Sequence, residues 1–144
     1  MDDRPDLAAM VVPLGRSLLA IEAPILDAHG ISMWAYIVLS RLSDQPLRGQ
    51  AVLAEAIGAD KTRLIDILDD LQDRGLIRRE PDPADRRARL LALTAKGRRL
   101  RDQVRRAIRR EEERLLAALP VTERAAFLRA LRRLADLTSA PSGG

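Results

Sequence analysis

Residues 60–97 read DKTRLIDILDDLQDRGLIRREPDPADRRARLLALTAKG, and this stretch decides the fold. Leu64, Ile67, Leu68 and Leu71 recur at spacings of three and four, the period of a helix with one apolar face. Asp60 ahead of them is a good N-cap, and Gly75 behind them suits the left-handed residue that closes a helix. The same register sends Thr62, Asp66, Asp69 and Asp73 down the opposite face, a polar stripe free to meet a ligand. Residues 76–79 and 89–93 are short extended candidates. Between them, Pro81 and Pro83 forbid a helix while Asp82 and Asp85 supply turns. The expectation is a helix followed at once by a β-hairpin, with Arg86 and Arg87 at a charged tip and Arg78, Arg79 and Arg89 at its base.

Upstream, residues 50–57 form a two-turn helical pattern with Leu53, Ala54 and Ile57 inward, followed by the turn Gly58-Ala59-Asp60. Counting Gln50 as the first position of a helix-turn-helix, a small residue is needed where two helices approach closely, and Ala54 fills it. Gly58 stands where a positive φ would strain any side chain. A helix-turn-helix followed by a two-stranded wing is a DNA-reading arrangement: the second helix enters the major groove and the wing reaches the adjacent minor groove. A helical hairpin with no ligand is the plainer alternative at this point.

Further out the chain is helical. An apolar stripe (Leu7, Met10, Val11, Leu14, Leu18, Ile21, Ile25) predicts a helix over 7–28, which Pro13 and Pro24 should each kink or restart and Gly30 should end. Ser32 caps a short helix from 33 to about 42, stopped by the turn 43–46. Thr94 caps a long helix to 119 carrying Leu100, Val104, Ile108 and Leu115. After Pro120, Thr122 caps a last helix with Phe127, Leu128, Leu131, Leu134 and Leu137 apolar, and 140–144 read as a frayed tail.

Composition narrows the function. Phe127, Trp34 and Tyr36 are the only aromatics, so the core is aliphatic, and 144 residues suit one domain. No cysteine is present, which excludes disulfides, thiolate chemistry and cysteine-ligated zinc. With one histidine, no phosphate-binding glycine loop and no carboxylate pair in an evident cleft, the sequence predicts no enzyme, cofactor or metal. The first residues lack a signal peptide's pattern and no apolar stretch is expected to reach membrane-spanning length, so a cytoplasmic protein with no membrane partner is expected. The net charge of +4 is unevenly spread: residues 74–110 hold 14 Arg and Lys against four acids, an excess of ten that leaves the rest of the chain at −6. Such a basic zone suits a face offered to phosphate, or a solvated arginine-rich helix.

The runs 68–79, Asp82-Pro83-Ala84-Asp85-Arg86-Arg87 and Leu91-Ala92-Leu93-Thr94-Ala95-Lys96-Gly97 resemble, in unbroken order, the recognition helix, wing and following helix of the MarR family of transcription regulators. The Asp85-Arg86-Arg87 motif with the later Leu-Thr-x-x-Gly is the most specific part. His29-Gly30-Ile31-Ser32 and Trp34 with Val38-Leu39 resemble the family's first loop and second helix. The resemblance covers roughly 7–137. It implies a mainly α fold with a small β-hairpin wing, a winged helix-turn-helix dimerising through its N- and C-terminal helices. The whole chain, 1–144, is then a single MarR-type domain, with dimerisation helices at 7–30 and 98–138 and the DNA-binding region at 32–97.

On this reading the chain is a homodimer on a pseudo-palindromic duplex, a repressor released by a small aromatic or phenolic effector. The residues expected on DNA are Gln50, Lys61, Thr62, Arg63, Asp66, Arg86, Arg87 and Arg89; those expected at an effector are His29, Trp34 and Tyr36. Two departures stand out: the family often has Ser or Thr at the position of Arg63 and a basic residue at that of Asp66. Asp66 could accept from a cytosine amino group or pair with Arg63 or Arg74. A winged helix used only for protein contact, with neither DNA nor ligand, is the alternative function.

Overall fold

The structure, a computed structural model, describes residues 3–42, 47–48 and 60–139. In chain order these form α1 (Leu7–Ala28), α2 (Met33–Arg41), β1 (Leu47–Arg48), α3 (Lys61–Asp73), β2 (Ile77–Asp82), β3 (Asp85–Leu93), α4 (Ala95–Leu116) and α5 (Val121–Ser139). The expected helix at 50–57 and its turn, with Gln50, Ala54 and Gly58, lie outside the described residues. The chain divides into two units within α4, one ending at Ile108 and one beginning at Arg109.

The helix ends obey the chemistry read from the sequence. Ser32 accepts the Ala35 N–H at 3.1 Å and the Asp60 carboxylate accepts the Arg63 N–H at 2.8 Å, each satisfying a donor left over at a helix start. Gly30 and Gly75 are the described residues with positive φ, +65° and +72°. At each, the glycine N–H and the next N–H turn back to carbonyls of the final helical turn: Gly30 to Asp27 and Ile31 to Leu26, then Gly75 to Gln72 and Leu76 to Leu71. This double closure needs the left-handed conformation that glycine adopts at little cost.

Two expectations fail locally, and a third is narrowed. Of the kink or restart expected at Pro13 and Pro24, the restart does not occur, since α1 runs on through both; each proline removes one donor, and Ser17 Oγ donates to the Pro13 carbonyl at 3.1 Å. Unbroken, α1 is 22 residues long with a mean hydropathy of 1.5, so it does meet the length and apolarity of a membrane span, contrary to expectation. Its charges are too sparse to prevent this, and Leu26 is the buried residue in it. Finally, α5 starts at Val121 rather than after a Thr122 cap, with the Pro120 carbonyl accepting the Arg124 N–H at 2.9 Å.

The wing is also longer than its sequence pattern implied. β2 reaches Asp82 and β3 begins at Asp85, so Pro83-Ala84 make the tip, and Arg86 and Arg87 stand on the strand beyond it. Pro81 is tolerated because the strand order β1-β3-β2 leaves β2 at an edge, where a missing N–H breaks no second ladder. The two-residue β1, unforeseen in the sequence, pairs on the other side of β3 through Leu47↔Leu91 and Arg48↔Leu90. The central β3 accordingly ends in three consecutive buried residues, Leu91, Ala92 and Leu93.

Within the first unit, Leu64, Leu68 and Leu71 of α3 pack with Val38 and Leu39 of α2, Leu76, Ile77, Leu91 and Leu93 of the sheet, and Val104 and Ile108 of α4. Each fully buried leucine contributes roughly 1.5–3 kcal/mol of transfer free energy. That burial fixes the face of α3, and the polar stripe faces solvent as a consequence. In the second unit α5 exposes Phe127, Leu128, Leu131, Leu134 and Leu137.

Candidate nucleic-acid interface

Three ties hold α3, the wing and α4 in a fixed relation. Thr94 Oγ1 donates to the Gly75 carbonyl at 2.6 Å and accepts the Gly97 N–H at 3.0 Å, so one hydroxyl caps α4 and grips the end of α3. Lys96 Nζ donates to the Arg74 carbonyl at 2.9 Å. A Cβ on Gly97 would lie 1.9 Å from the Leu76 carbonyl oxygen, so only glycine permits this approach of helix to chain. The Leu-Thr-x-x-Gly motif is thus a joint.

The outer face of α3 carries Thr62, Arg63 and Asp66, all exposed, beside its N-terminal turn. Lys61 begins the helix. Arg86, Arg87 and Arg89 are exposed on β3. Strand alternation puts Arg87 and Arg89 on one face of the hairpin and Arg86 on the other. None of these arginines, nor Arg63, forms an ion pair with another described residue. Asp82 accepts the Ala84 N–H at 2.9 Å and Asp85 the Arg87 N–H at 3.0 Å, so both acids shape the turn through the main chain. Arg79, by contrast, is spent inside the protein: its guanidinium pairs with Asp69 of α3. Arg78 pairs with Glu80 at 2.7 Å and Arg74 with Asp70 at 3.6 Å. The acidic stripe of α3 is therefore partly neutralised from within, and Asp66 remains on it as an exposed carboxylate.

Of the residues expected at an effector, Trp34 and Tyr36 are half-buried, Tyr36 against the core. His29, with Nδ1 bonded to the Ile25 carbonyl at 2.8 Å, lines a cleft of about 300 Å³ shared with Arg74, Lys96 and Arg99. Sequence reasoning missed this cleft, although Lys96, Arg99 and Gln103 are spaced as one helix face. It also missed Arg101, which replaces an apolar residue on the buried stripe Gly97, Val104, Ile108. Its Nε and Nη2 donate to Asp102 at 3.0 and 2.8 Å, and Nη1 is buried without a partner. Those hydrogen bonds, with the charges of Arg101, Arg105 and Arg106, hold the Asp102 carboxyl below the ordinary carboxylate range against the opposing effect of burial.

Comparison with known proteins now settles the family. The MarR family model matches residues 29–88. The transcriptional regulator HosA of Escherichia coli is 32% identical over 99 residues, 69% of this chain and 73% of HosA. The chain belongs to the MarR family. The relatives that carry this likeness are transcriptional regulators rather than enzymes. The transcriptional repressor NicR of Pseudomonas putida is 33% identical over 101 residues, 70% of this chain and 64% of NicR. Across such curated relatives the aligned stretch covers between 46% and 73% of the relative's own length. Among solved structures, the Mycobacterium tuberculosis MarR-family protein Rv2887 in complex with DNA superposes with a TM-score of 0.77 at 25% identity, covering 91% of this chain and 98% of that one.

Proposed function

We propose that this MarR-family regulator binds a pseudo-palindromic duplex as a cytoplasmic homodimer and represses transcription until a small aromatic or phenolic effector releases it. The observation that carries the DNA half is the placement of Thr62, Arg63 and Asp66 on the outer face of α3, beside a wing whose Arg86, Arg87 and Arg89 have no internal ion pair among the described residues. Arginines left unneutralised next to a helix of groove-reading dimensions suit phosphate and base edges. The complex of Rv2887 with DNA supports the same use of the fold. Gln50 and Lys61 join the proposed interface by their sequence positions.

The exposed apolar faces of α1 and α5 are the proposed dimer contacts, within segments 7–30 and 98–138, and 32–97 is the DNA-binding region. A second copy would remove those side chains from water. This assigns the hydropathy of α1 to a subunit interface and not to a membrane. The effector half rests on the resemblance, with His29, Trp34 and Tyr36 as proposed contacts.

Fluorescence anisotropy on duplexes selected from a random pool tests the reading. Half-sites about one helical turn apart and an affinity that falls steeply with salt are expected. Arg86→Ala and Arg87→Ala should each lower the salt slope by about 1. A flat salt dependence with no palindrome preference would assign the winged face to protein contact instead.

A further inference from the structure

Four carboxylates stand on α3, and the structure treats them unequally. Asp69 takes the guanidinium of Arg79 from β2, and Asp70 that of Arg74 at 3.6 Å. Asp66 and Asp73 are exposed and make no ion pair with another described residue. The partners that helix electrostatics would offer Asp66 are not used for it. Arg74 is with Asp70, and Arg63, three positions before Asp66 and close enough on the helix surface to pair, stays unpaired among the described residues. The helix is also lopsided in charge. Lys61 and Arg63 open it, Asp69, Asp70 and Asp73 fill its second half, and the macrodipole adds positive charge at the start. A duplex therefore meets this helix best by its first two turns. There Asp66 follows Thr62 by one turn on the outward face, about 6 Å along the axis, which is less than two base-pair steps of about 3.4 Å.

We propose that Asp66 determines sequence specificity by reading cytosine in the major groove, an inference that rests on the DNA-binding reading above. The groove floor presents acceptors at guanine N7 and O6, adenine N7 and thymine O4, and donors only at the amino groups of cytosine and adenine. A carboxylate has no proton to offer the acceptors, and beside the adenine amino group it meets the repelling N7. Cytosine is the base edge that gives it a hydrogen bond without an opposing lone pair. Against the other three bases the carboxylate gives up its water and gains nothing comparable. The phosphates add a general cost, since a negative charge brought into their field weakens binding to every duplex. Asp66 thus selects mainly by exclusion, losing least where cytosine stands opposite. This gives it a signature that neither a phosphate contact nor a solvated surface acid shares. Its removal tightens binding to duplexes in general and erases one base preference.

Fluorescence anisotropy with the full chain at fixed salt tests the inference. The probes are the best duplex selected from a random pool, its single base-pair variants, and a random-sequence duplex of the same length. The native chain should prefer cytosine about tenfold over the other bases at one position in each half-site. In Asp66→Ala that preference should fall below about twofold while the random-sequence duplex binds more tightly. In Asp66→Asn the preference should move to adenine, whose N6 and N7 an amide meets with both its donor and its acceptor. Asp66 is exposed, so both variants should fold normally; circular dichroism checks this. Unchanged base preferences in Asp66→Ala, a lost preference for a base other than cytosine, or weaker binding of the random-sequence duplex would each overturn the inference and leave the DNA-binding reading standing. A native chain with no sequence preference would overturn both.

Discussion

The winged unit and the last helix contain the same residue type in opposite circumstances. Leu64, Leu68 and Leu71 of α3 are 0% exposed, whereas Leu134 and Leu137 of α5 are 58% and 74% exposed. The first group is buried by neighbours in its own unit, at spacings that give one side of the helix to the core. The second follows the same helical spacing without such neighbours. Apolar periodicity therefore reports that a helix has a face to bury, and says nothing about whether the burying surface comes from the same chain. In this protein the difference separates residues that should set the stability of the winged unit from residues that should set assembly.

The sharpest way to break the winged unit is at its joint. Gly97→Ala places a methyl group against the Leu76 carbonyl at a distance no packing tolerates, so α4 or the chain at Leu76 must move. A loss of roughly 3 kcal/mol or more is expected in urea denaturation, in the range of severe overpacking. Next comes the comparison itself. Leu68→Ala should cost about 2–5 kcal/mol, while Leu134→Ala in dilute solution should stay within about 0.5 kcal/mol and instead weaken self-association in sedimentation. Equal destabilisation by the two would erase the distinction between the regions.

Smaller effects test the helix ends. Asp60→Ala removes the acceptor for the Arg63 N–H and should cost about 1 kcal/mol, with Asp60→Asn largely neutral, both measurable by thermal denaturation. The smallest effect belongs to Asp102. Its carboxyl titrates below the ordinary range in the folded chain, so its contribution to stability is fully present above the unfolded value of about 3.9. It is lost as pH falls through the lower folded value. The stability gap between the native chain and Asp102→Asn should therefore close on acidification below about pH 4; a gap independent of pH would mean that the ion pair with Arg101 contributes nothing.

How far these features were legible follows from their range. Caps and closures are local, so Ser32, Asp60, Gly30 and Gly75 announce themselves by residue type within a few positions of an apolar stripe. The buried face of α3 is equally local, since a period of three and four needs no partner to be read. The extent of the wing was not legible, because Pro81 looks like a strand breaker until β2 is known to be an edge. The role of Arg79 was hidden for a similar reason: its partner Asp69 lies ten positions away on another element, and both residues were read as surface charge. The cleft beside His29 and Arg74 needed three helix ends to meet, and only its α4 part, Lys96, Arg99 and Gln103, leaves a trace in the spacing.

The staple at the foot of the hairpin has a kinetic consequence. Thr94 N–H bonds to the Leu76 carbonyl at 3.2 Å, the Thr94 hydroxyl holds Gly75, and Gly97 seals the same spot, whereas the far end turns on Pro83-Ala84 beside a proline that donates no bond. Amide protons should record this as a gradient along one short element. Those near Ile77 and Leu93 should exchange only when the whole winged unit opens, and those near Arg86 and Arg87 should exchange through fraying of the tip alone. The hairpin is then a finger clamped at the knuckle, able to adjust its outer end while the pairing register at its root stays fixed.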